Sequence, residues 1–176
     1  MWQRILFAFI GVLLGVFSWQ QPARAEIVDV TVASLGPACA ICNGMLEGKL
    51  KHVTGIEKVI TNLKDSTFTL IPKAGLPLDV AAVKKAVKDS GYGFRFIELT
   101  MKGMVEDSSG VPTFKESSSG QTFQLVQGEN SKTPPANWVE IKTASADGKN
   151  PVQIKGMAYP GQPMDALTPS QVSAVH

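Results

Sequence analysis

The segment around the two cysteines constrains the fold of this chain more than any other feature. Residues 27–33 alternate apolar and polar side chains with period two and are rich in β-branched residues, which predicts a strand. A turn at Leu35–Ala38 follows, and Cys39 and Cys42 come directly after it. Apolar residues then recur at helical spacing, namely at Ile41, Met45, Leu46, Leu50 and Val53. The sequence therefore predicts a strand, a turn that carries Cys-x-x-Cys, and a helix that ends at Gly55.

The next stretch of the chain extends this unit to the order β-α-β-β-α-β. Two strands, a second helix and a further strand are predicted, in that order, at Ile56–Leu63, Thr67–Ile71, Val80–Ser90 and Phe94–Leu99. Asp79 is a candidate N-cap for the second helix, and Gly91 supplies its C-terminal stop. This order predicts the α+β class and a ferredoxin-like domain at 26–99.

Beyond residue 100 the helical periodicity disappears, and short strand-like runs alternate with turns rich in Ser, Gly, Asn and Pro. The runs are Thr100–Val105, Val111–Lys115, Gly120–Gln127, Asn137–Thr143 and Pro151–Ala158. They predict a small all-β, OB-like barrel at 100–160. The tail at 161–176 is expected to be mobile. No linker-like sequence separates Leu99 from Thr100, so one strand is expected to run from the sheet into the barrel and to fix their relative orientation.

The N-terminus has the organisation of a secretory signal peptide. A basic start that ends at Arg4 precedes the uncharged apolar stretch Ile5–Trp19, and Ala23-Arg24-Ala25 has the small-x-small pattern of a cleavage site. The apolar stretch is shorter than the roughly 20 residues of a membrane-spanning helix. We therefore expect a signal peptide at 1–25, cleavage after Ala25, a periplasmic or otherwise exported protein, and no stable membrane insertion afterwards. An uncleaved membrane anchor is the alternative.

Charge and cysteine content exclude some classes of function. Loss of residues 1–25 removes Arg4 and Arg24 from the 17 basic residues, which leaves 15 basic residues against 15 acidic ones. No basic patch predicts a nucleic-acid partner. Two cysteines cannot form the multi-disulfide framework of a small secreted scaffold. They form one local pair, which is either a redox-active pair or a metal-binding pair.

Cys39 and Cys42 are the candidate metal ligands. Thiolates favour soft or borderline ions such as Cu(I), Hg(II), Ag(I), Zn(II) and Cd(II). A cysteine on a loop and another on the first turn of a helix can approach one ion, and the helix dipole favours the anionic thiolate. Two ligands suit linear Cu(I) or Hg(II), whereas a structural zinc site normally needs four. The chain has no second cysteine pair and no histidine pair, and His52 lies near the end of the helix, ten residues on.

These residues resemble the heavy-metal-associated domain family, which occurs in copper chaperones, in N-terminal modules of metal-pumping ATPases and in periplasmic mercury-binding proteins. The resemblance covers about Ile27–Leu99. It rests on Gly36–Cys42, on Gly55-Ile56, and on Ser90-Gly91-Tyr92 after the second helix. The C-terminal β domain is additional to it.

The resemblance implies that Cys39 and Cys42 hold the metal ion and that Tyr92 lies in the loop that faces them. The chain departs from the family at one point. The family usually has Met-Thr before the first cysteine, where this chain has Pro37-Ala38. The usual methionine packs under the metal loop, so the replacement puts loop geometry and metal preference in question.

The sequence thus favours an exported metal chaperone or scavenger, not an enzyme, that passes its ion on by thiolate exchange. A membrane metal transporter or an apoprotein client is the expected partner. A periplasmic thiol-disulfide oxidoreductase that uses the same pair is the main alternative. Thioredoxin-like proteins usually carry an aromatic residue before the first cysteine and have another strand order, which disfavours it. A merely structural cysteine pair is the third interpretation.

The C-terminal barrel holds soft donors of its own. The thioether candidates are Met101, Met104, Met157 and Met164. Trp138 could cover Cu(I) through a cation–π contact. The favoured interpretation is that Met and Trp fill the core of a small barrel. An alternative role for the barrel is to dock a transporter or a client, and His176 is interpreted as a chain end.

Overall fold

The computed structural model describes residues 27–36, 39–74, 76–108, 111–128, 135–163 and 165–175. The predicted signal peptide lies outside them. The strands are β1 (Ile27–Leu35), β2 (Ile56–Asn62), β3 (Thr67–Pro72), β4 (Gly93–Ser108), β5 (Val111–Glu116), β6 (Thr122–Leu125), β7 (Val152–Ala158) and β8 (Ala166–Ala174). The helices are α1 (Ala40–Lys51), α2 (Val80–Asp89) and α3 (Trp138–Ala144). The predicted α+β class is confirmed. Within the described residues, no helix is long and apolar enough to cross a membrane.

The first half of the described chain has the predicted order β-α-β-β-α-β. Its strands lie side by side as β2-β3-β1-β4, and each neighbouring pair is antiparallel. Val30 of β1 is paired with Leu70 on one side and with Leu99 on the other, and all three are buried. Helices α1 and α2 pack against this sheet and against each other. This packing places the N-terminus of α1, where the cysteines lie, beside the end of β1.

Helix α1 buries a different stripe from the one that the sequence predicts. Leu46, Leu50 and Val53 are buried as expected, but Ile41 is 82% exposed and Met45 is 59% exposed. The prediction is wrong for these two residues because five apolar positions span more of the helix surface than the sheet covers. Ile41 and Met45 are four residues apart and form a neighbouring, uncovered stripe.

The second half of the described chain closes into a five-stranded barrel. The ring runs β4-β5-β6-β8-β7 and returns to β4, with β6 and β8 parallel and the other pairs antiparallel. Inward side chains alternate along β7, where Val152, Ile154 and Ala158 are buried. The ring agrees with the predicted small barrel, but two of its parts differ from the prediction.

The first difference is that the strand predicted at Asn137–Thr143 is wrong, because these residues form most of α3. The run alternates apolar and polar residues, yet Val139 is 74% exposed while Ile141 is buried. The buried residues Ile141 and Ser145 are four positions apart, as expected on one face of a helix. A run this short fits both the period of a strand and that of a helix, so the sequence pattern did not distinguish them.

The second difference concerns the tail at 161–176, which was expected to be mobile. Ala166–Ala174 instead form β8, which pairs with β7 and β6 and completes the ring. Pro169 lies beside a register shift in β8, where a missing backbone N–H costs little.

Strand β4 belongs to both halves. It is a continuous strand of 16 residues. It pairs with β1 as far as Met101, with β7 from Ile97 to Gly103, and with β5 from Gly103 onward. The predicted boundary between 99 and 100 therefore falls inside one strand, and the predicted continuity from sheet to barrel is present. Lys155 of β7 adds an ion pair to Glu98 of β4, at 2.8 Å.

Candidate metal-binding site

The two cysteines lie at the N-terminus of α1. Cys39 is the N-cap, with extended backbone angles, and its sulfur accepts a hydrogen bond from the backbone N–H of Cys42 at 3.1 Å. A sulfur atom thus takes the place of the oxygen that usually caps a helix. The Cα atoms are 5.3 Å apart and the sulfurs form a disulfide. The structure therefore brings the two predicted ligands together.

The pair is open to solvent and has apolar neighbours in the chain. Cys39 and Cys42 are half-buried, and Cys42 packs against the core. Three large apolar side chains close to them in sequence are exposed: Leu35 at the end of β1, Ile41 between the cysteines, and Met45 one turn further along α1. An open site with an apolar rim can be approached by another protein.

The helix end favours negative charge at these sulfurs. The first turn of α1 contains no acidic residue, so its unpaired N–H groups and its dipole act on Cys39 and Cys42 without competition from a carboxylate there. Glu47 lies a turn and a half beyond Cys42 and is engaged elsewhere. Its hydrogen bonds from Lys51, at 2.6 Å, and from Thr61, at 2.7 Å, lower the pKa of its carboxyl group.

Tyr92 packs against Gly36, the last described residue before the cysteines. It is buried, and a Cβ atom added to Gly36 would lie only 2.1 Å from its ring. Its hydroxyl donates to Asn43 Oδ1 at 3.5 Å, and Asn43 directly follows Cys42. The loop segment at Pro37-Ala38, where the chain departs from the family pattern, lies outside the described residues.

Asn43 is the functional candidate that sequence reasoning missed. It is 1% exposed, and its Nδ2 has no hydrogen-bond partner among the described residues. Its backbone N–H donates to the carbonyl of Cys39 at 2.9 Å. The available signal was a polar residue four positions after Cys39, on the side of the helix that faces the core.

His52 is not joined to the cysteine pair. It is the C-cap of α1, is exposed, and its Nδ1 lies 2.7 Å from the carbonyl oxygen of Gly48. Thirteen residues separate it from Cys39, which corresponds to about 20 Å along a helix. The described residues also contain no group of three or more His, Cys, Asp or Glu side chains that could hold an ion.

The soft donors of the barrel do not share one face. Met101 is fully buried, whereas Met104 and Met157 are half-buried and point outward between inward-facing neighbours. Met157 Sδ accepts a hydrogen bond from the hydroxyl of Tyr159 at 3.1 Å. Trp138 packs against the core, with Lys142 Nζ 5.7 Å from its ring centroid. Met164 and His176 lie outside the described residues.

No protein-family model matches the chain, and no curated protein sequence matches it. Solved structures with similarity to part of it include the yeast copper transporter domain Ccc2a, solved in the apo and Cu(I)-loaded states. That domain is 18% identical to this chain. The similar region covers 38% of this chain and 89% of the domain, with a TM-score of 0.33.

Two further similar structures come from the P-type ATPase CopA of Bacillus subtilis. Its water-soluble region is 23% identical, covers 47% of this chain, and gives a TM-score of 0.36; this chain spans about half of that region, 51%. A copper-containing CopA variant is 24% identical to this chain. The similar region covers 40% of this chain and 91% of the variant, with a TM-score of 0.34.

Proposed function

We propose that this chain is an exported metal-binding protein in which reduced Cys39 and Cys42 hold one soft ion, Cu(I) or Hg(II). One observation carries the proposal: both cysteines lie at the N-terminus of α1, where their sulfurs meet. Their Cα atoms are 5.3 Å apart. Two thiolates supply the low coordination number that these ions accept. Zn(II) and Cd(II) are weaker candidates because they usually take four ligands and the described residues add no further cluster of ligands, whereas Ag(I) accepts two thiolates as Cu(I) does.

Transfer of the ion needs no chemical turnover. A thiolate of the partner attacks the bound ion, a three-coordinate intermediate forms, and one of the two cysteine sulfurs leaves. The same exchange then releases the second sulfur. The open rim at Leu35, Ile41 and Met45 gives a partner access to the ion. A membrane metal transporter or an apoprotein client is the proposed partner, and no catalytic role is assigned to the chain.

Export is part of the proposal and rests on the sequence of residues 1–25. Cleavage after Ala25 would release a periplasmic protein whose first described strand begins at Ile27. The intact mass of the native protein checks this directly: a mature N-terminus at Glu26 supports export. Retention of Met1–Arg24 in the membrane fraction supports an anchor.

The direct test is an anaerobic Cu(I) titration of the reduced chain against a chromophoric chelator. The wild type is expected to bind one ion per chain. Cys39→Ser and Cys42→Ser are each expected to weaken binding at least a hundredfold, because each removes one of two ligands. His52→Ala is the matched control and is expected to bind as the wild type does. Unchanged stoichiometry in the double serine variant would contradict the proposal.

The disulfide seen between Cys39 and Cys42 favours one second candidate, a thiol-disulfide oxidoreductase. Reduction of a protein disulfide such as that of insulin, with dithiothreitol as the reductant, separates the two functions. An oxidoreductase would accelerate the reaction catalytically at substoichiometric concentration. A metal carrier would not, and it would still bind Cu(I) once reduced.

A further inference from the structure

The side chain of Asn43 has a donor without an acceptor next to the cysteine pair. Asn43 is 1% exposed, and its Nδ2 finds no hydrogen-bond partner in the described part of the chain. Buried amide groups are nearly always paired, because an unpaired one has lost its hydrogen bonds to water without replacement. The exception therefore calls for a physical explanation.

One end of this carboxamide faces Tyr92, and the unpaired end is Nδ2. Oδ1 faces Tyr92, whose hydroxyl donates to it at 3.5 Å. Tyr92 is itself held against Gly36, so this end of the amide has a fixed neighbour. The N–H groups therefore point away from the tyrosine hydroxyl.

Asn43 lies four positions after Cys39, in the first turn of α1. Residues four apart stack on one face of a helix, and side chains lean toward its N-terminus. The backbone links the two residues, since the N–H of Asn43 donates to the carbonyl of Cys39 at 2.9 Å. The sulfur of Cys39 is an acceptor in this part of the chain whose strength changes with the state of the cysteine pair.

The acceptor strength of that sulfur depends on its chemical state. In the disulfide it is neutral, weakly accepting, and already takes the N–H of Cys42. As a free or metal-bound thiolate it carries negative charge, and charge-assisted hydrogen bonds are about twice as strong as neutral ones. A second hydrogen-bond donor therefore stabilises the sulfur only when it is a thiolate.

We propose that Asn43 is a positioning residue of the cysteine pair, whose buried amide N–H donates to the sulfur of Cys39 in the reduced and metal-bound states and lacks an acceptor in the disulfide. This inference rests on the cysteine pair of the proposed function. It makes the disulfide the less favoured state and keeps the pair ready for an ion.

The test is the redox equilibrium of the whole 176-residue chain with dithiothreitol, followed by trapping of free thiols. Reduction breaks the S–S bond with two electrons from the reagent, whose two thiols become its cyclic disulfide. Of the two protons released, one goes to Cys42 and one to solvent, and Cys39 stays a thiolate. Asn43→Leu keeps the size of the side chain and removes the donor. It is expected to shift the equilibrium toward the disulfide about tenfold or more, which is about 30 mV for a two-electron couple.

Tyr92→Phe is the matched control. It removes the hydroxyl that contacts Asn43 Oδ1 but leaves the amide N–H in place, so its equilibrium is expected to move much less than tenfold. Equal shifts in the two variants would overturn the proposal, because the effect would then come from the tyrosine contact. An unshifted Asn43→Leu equilibrium would overturn it as well.

A measurement on the wild type keeps the test independent of whether the variants fold. The side-chain amide protons of Asn43 are followed by ¹⁵N–¹H NMR in the oxidised, reduced and Cu(I)-loaded chain. The expected result is a downfield shift of one proton and slower exchange with water upon reduction. Identical resonances in all three states would overturn the proposal. Cu(I) binding by the same samples decides the proposed function separately, so either can fail alone.

Discussion

Replacement of Gly36 by alanine is expected to disturb the chain just before the cysteine pair. Gly36 ends the segment that leads from β1 into the loop, and the ring of Tyr92 lies directly against it. An added Cβ would lie 2.1 Å from Tyr92 Cδ1 and 2.3 Å from Cε1, where ordinary contacts begin at 3.4 Å. Either the ring or the loop must therefore move by about 1.3 Å, the difference between 3.4 and 2.1 Å.

The ring has little room for this movement. Tyr92 is 8% exposed, and its hydroxyl is engaged with Asn43. Overpacking of this kind typically costs about 1–3 kcal/mol. If the loop moves instead, Cys39 moves with it, three residues further on. We expect Gly36→Ala to lower the free energy of unfolding by about 1–3 kcal/mol and to weaken Cu(I) binding roughly tenfold, since tenfold corresponds to about 1.4 kcal/mol.

Gly44→Ala is the matched control, since Gly44 lies in α1 two residues after Cys42. A Cβ there meets nothing within 4 Å. The change is expected to stabilise the chain by about 0.5–1 kcal/mol, because alanine is the better helix former. Urea unfolding and a Cu(I) competition titration measure both quantities for both variants.

A double variant identifies the contact responsible. Gly36→Ala combined with Tyr92→Leu should cost less than the sum of the two single changes, because the smaller side chain makes room for the new methyl group. A Gly36→Ala chain as stable as the wild type, with the same Cu(I) affinity, would refute the geometry on which this reasoning rests.

Three other predictions concern the rest of the molecule. Glu116→Ala is expected to destabilise the barrel by about 2–4 kcal/mol in urea unfolding, because the buried carboxylate accepts backbone N–H groups of the turn at Ser118 and Ser119 that would lose their acceptor. The pKa of the Glu47 carboxyl group is lowered from 4.5, mainly by the hydrogen bond from Lys51. Its small contribution to stability is therefore present above pH 4.5 and is lost as the pH falls through the folded-state pKa. Glu47→Gln should make the free energy of unfolding depend less on pH in this range. Because β4 is shared, NMR relaxation should give one tumbling time for the sheet half and the barrel, and independent tumbling would contradict the fixed orientation.

Local patterns predicted most of the first half of the fold. The change from period two to helical spacing at the cysteines located β1 and α1, and Asp79 caps α2 as expected, with its Oδ1 accepting from the N–H of Ala82 at 2.8 Å. The position of the cysteine pair was also predictable, since a strand pattern before it and helical spacing after it place both cysteines at a helix start. These features depend on residues close together in sequence.

The features that the sequence did not predict depend on distant contacts. Strand β8 is held by β6 and β7, and no local pattern marks its serine- and proline-containing sequence as a strand. Tyr92 reaches Asn43 across 49 positions, so this contact could not be found from either residue alone. Exposure of Ile41 and Met45 follows from how far the sheet extends under α1, which is a property of the assembled fold.

X-ray absorption at the copper edge tests the central claim most directly. The reduced chain is loaded anaerobically with one equivalent of Cu(I), and the nearest scatterers are counted. The expected result is two sulfur ligands, from Cys39 and Cys42, and loss of that signal in the double serine variant. A first shell of nitrogen or oxygen alone, or the same spectrum without the two cysteines, would contradict it.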